Sequence, residues 1–94
     1  MRVKYLLRAA ADLESATDYI ARDSPEAARR VALKITRAIQ ALRMHPAMGR
    51  PGRVLGTREL VISGTPYIVP YRIRGDSVEI LRIFHAARKW SDKP

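Results

Sequence analysis

The sequence predicts an α+β fold: an N-terminal strand, a two-helix hairpin, then a three-stranded antiparallel sheet. Three observations predict it. The apolar period changes from two to about 3.6 and back to two along the chain, a Ser-Pro step divides the helical stretch, and a Pro- and Gly-rich segment separates it from the later strands. The 94 residues form a single domain over 1–94, since a chain this short has material for one core.

Residues 2–7 begin with Arg2, Val3, Lys4 and Tyr5 in alternation before Leu6 and Leu7, a short strand with one buried face. From Arg8 to Arg22, Ala9, Leu13, Ala16 and Ile20 recur at helical spacing, with Asp12, Glu14 and Asp18 outside that stripe. Asp23-Ser24-Pro25 closes this helix and opens another. Ser24 suits the N-cap, Pro25 the first helical position, and Glu26 the positive helix end. The second helix runs from about Pro25 to Met44 on a stripe of Ala28, Val31, Ala32, Ile35, Ile39 and Leu42. Arg29, Arg30, Lys34 and Arg37 lie off that stripe as a basic ridge.

His45-Pro46 stops the helix, and the stretch to Gly56, with Pro46, Gly49, Pro51 and Gly52, reads as an irregular loop. Strands are expected over Arg58–Ser63, Tyr67–Arg74 and Val78–Phe84, with Gly75-Asp76 as a two-residue hairpin turn. Pro70 implies a bulge or an unpaired edge within the second of these. Alternation sets Val69, Tyr71 and Ile73 against Ile68, Arg72 and Arg74. In the last strand it sets Val78, Ile80, Arg82 and Phe84 against Leu81, Ile83 and His85.

Composition narrows the function. With 47% apolar and 29% charged residues the chain can bury a core. It has no cysteine, which excludes disulfides, thiol nucleophiles and cysteine-based metal sites and suits the cytoplasm. Arg8, Asp12 and Glu14 cut the apolar start too short for a signal peptide, and no run approaches a membrane span of about 18 residues. The formal charge is +9, and 14 of the 18 basic residues are arginine, whose guanidinium grips phosphate or carboxylate with two parallel bonds. Nucleic acid or an acidic protein is the partner this favours.

No phosphate-binding loop, dinucleotide fingerprint, nucleophile elbow or zinc-protease motif is present. Two histidines without clustered carboxylates offer no metal site, and no cofactor is expected. What stands out is a set of cations along the strands. Metal-free cleavage of RNA needs a proton acceptor, cations on the phosphate and a proton donor, roles open to Arg58, Arg72, Arg82 and His85. The plainer reading has Arg82 paired with Glu79 or Glu59 and His85 capping a strand end. Arg58, Arg72, Arg74, Arg88 and Lys89 are candidates for binding a partner, and Trp90 either stacks on one or seals the core edge.

Three segments in this order resemble the RelE/ParE superfamily of bacterial type II toxins over essentially the whole chain. They are Arg8-Ala9-Ala10-Ala11-Asp12-Leu13 with Tyr19-Ile20, the loop His45-Pro46-Ala47-Met48-Gly49-Arg50-Pro51, and the strands from Arg58-Glu59-Leu60 through Tyr67–Ile73 to Val78–His85. The resemblance implies one of two activities. RelE-like members cut mRNA on the ribosome, whereas ParE-like members poison DNA gyrase. In the nuclease branch an arginine typically stands where this chain has Ile68, while His85 matches a position at which both branches place histidine. The ParE-like branch is therefore favoured, with an mRNA endonuclease and a non-toxic interaction module as the alternatives. The resemblance also implies a cognate antitoxin, an acidic ParD-like segment gripping the helix-hairpin groove and the arginines.

Overall fold

The computed structural model describes residues 1–87, so Arg88, Lys89 and Trp90 lie outside the described residues. Strand β1 spans Arg2–Tyr5 and is followed by α1, Leu7–Ala21, and α2, Pro25–Ala41. Strand β2 is Arg50–Pro51, β3 Arg58–Val61, β4 Tyr67–Arg74, β5 Ser77–Ile80 and β6 Phe84–His85. They form one mixed sheet in the order β1-β5-β4-β3-β2, with β6 continuing beside β4 beyond the end of β5. Pairing is antiparallel except between β1 and β5, which run parallel.

The helix boundary follows the expected chemistry. Ser24 has extended backbone and its hydroxyl accepts the Ala27 N–H at 3.1 Å, with Pro25 next and Glu26 in the first turn. Helix α2 ends at Ala41, three residues before the expected Met44, in a turn closed by Leu42, Arg43 and Met44 N–H groups. Gly75 takes φ +61° at the first central position of the β4–β5 turn, which favours glycine, and Arg74 faces Ser77 across it.

The core lies between the helix hairpin and one face of the sheet. Ile35, Ile39 and Leu42 of the second-helix stripe are fully buried against Val69, Tyr71, Val78 and Ile80. On α1 only Ala9 is fully buried; Leu13, Ala16 and Ile20 pack against the core with one side open. No helix among the described residues is long and apolar enough to cross a membrane.

Two sequence expectations need correction. The stretch to Gly56 is not wholly irregular, because Arg50 and Pro51 pair with Glu59 and Arg58 as a short edge strand. The expected last strand is also broken. The Leu81 N–H still reaches Pro70 O at 2.9 Å, but the Ile83 N–H turns to the Asp12 carboxylate at 3.0 Å. Pairing resumes at Ile68↔Phe84 and Tyr67↔His85, one residue out of step with Tyr71↔Ile80, which is a β-bulge. Pro70 lies opposite the break, and with no N–H it leaves a gap in the ladder on that side. The bulge reverses the alternation. Ile80 and His85, expected on opposite faces, both oppose tyrosines of the helix-facing side of β4.

Candidate functional site

The arginines singled out by sequence are held in three separate places. Arg72 and Glu79 oppose each other across β4 and β5, and Arg72 Nε reaches Glu79 Oε1 at 2.6 Å. Arg74, two residues along and therefore on the same face, lies 3.9 Å from the same oxygen. The Arg72 hydrogen bond holds the Glu79 carboxyl below its usual range, against the opposing effect of burial, with further help from the Arg72, Arg74 and Lys4 charges. This face therefore holds a nearly buried carboxylate within a surplus of cations.

Arg82 is bound elsewhere. Its Nε and Nη2 meet the two Asp12 oxygens of α1 at 2.7 and 3.1 Å, and Asp12 also takes the Ile83 N–H. The expectation of Glu79 or Glu59 as partner is thus corrected to Asp12, seventy residues away in sequence. At the bulge Arg82 leaves the strand pattern and reaches α1. The Asp12 hydrogen bond raises the guanidinium pKa further above its ordinary value, and the charge also lies 4.7 Å over the Phe84 ring.

Arg58 ties down the loop before β3. Its Nη1 donates to Gly49 O at 2.8 Å and to Ala47 O at 3.3 Å. Beside it, the buried Tyr71 hydroxyl donates to Pro46 O at 2.7 Å and accepts the Gly49 N–H at 2.9 Å. A side chain on Gly49 would strike that ring, its Cβ falling 2.7 Å from Tyr71 Cε1. Glu59, only 4% exposed, accepts the Arg50 guanidinium at 3.2 Å and the Arg53 N–H at 3.0 Å. Tyr71 and Glu59 hold this loop in place, a role that sequence reading missed. An acid amid strand hydrophobes, Arg58-Glu59-Leu60-Val61, was the signal available.

His85 stands apart from Arg58 and Arg72, and shares with Arg82 the neighbourhood of Asp12. It lines a cavity of about 260 Å³ with Asp12, Ser15, Ala16, Tyr19, Tyr67, Ile83 and Ala87. Tyr67 meets the imidazole edge-on at 5.4 Å, and His85 Nδ1 accepts the Ala87 N–H at 3.2 Å, which leaves Nε2 to carry the proton when the ring is neutral. Tyr67 and Arg72 are five residues apart on β4, about 17 Å along the strand. The four residues proposed for RNA cleavage are therefore not gathered into one site, and among the described residues the cavity around His85 is lined by the Asp12 carboxylate and by no lysine or arginine. No cluster of three metal-ligating side chains occurs among the described residues.

A helix hairpin packed on one face of a mixed sheet is the architecture of a RelE/ParE-type domain. The family described as ParE toxin of the type II toxin-antitoxin system, parDE, matches residues 3–90. The chain belongs to the ParE toxin family. It is 49% identical over 89 residues to "Putative toxin Y4kP" of Sinorhizobium fredii, covering 95% of this chain and 92% of that one. It is 41% identical over 87 residues to "Toxin RelE2" of Caulobacter vibrioides, covering 93% and 97% respectively. Among solved structures it superposes on a chain of the chromosomal ParDE TA system from P. aeruginosa with a TM-score of 0.81. That pair shares 33% identity over 90% of this chain and 95% of the other.

Proposed function

We propose that this ParE-family toxin acts by inhibiting DNA gyrase and does not cut mRNA. The observation that carries the reading is that Arg58, Arg72 and Arg82, the strand arginines open to such chemistry, are each held by an internal partner. A phosphodiester transition state gathers negative charge and calls for cations around the proton-transfer group. Here Arg82 is taken by Asp12, Arg72 by Glu79 and Arg58 by loop carbonyls, while Ile68 stands where a nuclease would carry arginine. The toxin would act in the cytoplasm.

Its partner in this reading is a ParD-like antitoxin with an acidic segment. The half-open α1 stripe supports a docking groove of about 510 Å³ lined by Tyr5, Ala10, Leu13, Glu14, Thr17 and Ala32. Arg74, which is largely exposed, and Arg88 and Lys89 are the cations proposed to meet its carboxylates. Purified toxin should inhibit gyrase supercoiling, and His85→Ala should inhibit as well as the wild type. Ribosome-dependent mRNA cuts that vanish in His85→Ala, with supercoiling untouched, would establish the nuclease reading instead.

A further inference from the structure

The segment joining β2 to β3 is bolted at its base and bare at its tip. Gly52 N–H donates to Thr57 O at 2.8 Å, the Thr57 N–H reaches Val54 O at 3.1 Å, and the Thr57 hydroxyl reaches the same carbonyl at 2.6 Å. A Cβ on Gly52 would collide with the Thr57 side chain, and Gly56 takes φ +82°, a conformation that favours glycine. Below this hairpin the buried Glu59 grips Arg50 and Arg53, and Arg58 and Tyr71 pin residues 46–49. At the apex Leu55 is 100% exposed, with Val54 exposed beside it. An isolated exposed leucine is ordinary on a protein surface. One at the tip of a short turn held by a dedicated buried carboxylate is preordered for contact, so little conformational freedom remains to be lost on binding.

We infer that the 52–57 hairpin is the toxin's target-engaging finger, with Leu55 entering an apolar socket rimmed by carboxylates on the target protein. Charge selects the rim. From Pro46 to Glu59 the chain carries Arg50, Arg53 and Arg58 against the single acid Glu59, and Arg50 and Arg53 both lie at the exposed surface. An acidic rim meets this surplus and speeds encounter, while the socket supplies the hold. The finger stands on the β2–β3 edge of the sheet, whereas the groove proposed for the antitoxin lies against α1, α2 and β1. Contact at Leu55 and contact along the α1 groove are therefore separable by substitution. The inference rests on the toxin reading and sharpens it by naming the surface that meets the target.

The test compares wild type, Leu55→Asp and Leu55→Met for inhibition of purified gyrase and for growth arrest in cells lacking antitoxin. Because Leu55 touches nothing internal, all three should share one melting temperature, and co-expressed antitoxin should co-purify with each. Leu55→Asp should need at least roughly tenfold more protein for half-inhibition and should fail to arrest growth, since a carboxylate is repelled by the rim and rejected by the socket. Leu55→Met should stay within about threefold of wild type. Should Leu55→Asp melt early, Leu55→Ser replaces it. Full potency of the folded polar variant overturns the finger. A wild type that arrests growth but leaves gyrase alone overturns the gyrase reading only, and the growth comparison then decides the finger. A wild type inert in both assays overturns both.

Discussion

Glu79 shows how one side chain sets the character of a whole face. It sits between β1 and β4, opposite Lys4 on one side and Arg72 on the other. Its pKa is lowered in the folded state, so its stabilising contribution is complete above the unfolded carboxylate range near pH 4.3 and is lost as pH falls through the lower folded value. Acid unfolding of wild type should thus steepen below about pH 4.5, and Glu79→Gln should flatten that part of the profile. Identical acid limbs by circular dichroism would contradict the pairing. The arginines facing Glu79 were legible in the sequence because strand alternation places Arg72 and Arg74 together. Their partner was not named, since alternation gives faces and leaves register open.

At the scale of elements, the bulge between β5 and β6 is what most separates this domain from its sequence pattern. An uninterrupted Val78–Phe84 strand was the natural reading of an apolar alternation, and Pro70 correctly pointed to a disturbance. The disturbance falls on the neighbouring strand because Asp12, on a helix remote in sequence, offers its carboxylate to both the Arg82 side chain and the Ile83 backbone. Such a long-range competitor leaves no local signature. Both partners are only about one-fifth exposed, 22% for Arg82 and 20% for Asp12. Asp12→Ala should therefore cost about 2–4 kcal/mol by urea denaturation, because it strands a shielded guanidinium and one backbone N–H. A cost under about 0.5 kcal/mol would show the bulge to be held by something else. The helix hairpin, by contrast, was readable almost to its ends, because capping and the 3.6-residue stripe are local.

For the whole molecule, the surface divides into regions of different character. The sheet face carries paired and surplus arginines, the helix side has a half-open apolar stripe, and the β2–β3 hairpin projects one bare leucine. If the antitoxin covers the α1 groove, it binds the folded toxin only, and the complex should melt well above the free chain. Composition, at a formal charge of +9, favours an acidic partner. It could not foretell that Arg58, Arg72 and Arg82 would be satisfied internally, because each is bound by a group that only the assembled fold brings near.

The most direct test of the central claim is a double pulse-label after inducing the toxin alone, following thymidine and methionine incorporation in the same culture over the first minutes. Inhibition of gyrase predicts that thymidine incorporation falls first while methionine incorporation continues. An earlier fall in methionine incorporation would contradict it, and would make the His85 cavity the centre of a translation-directed activity.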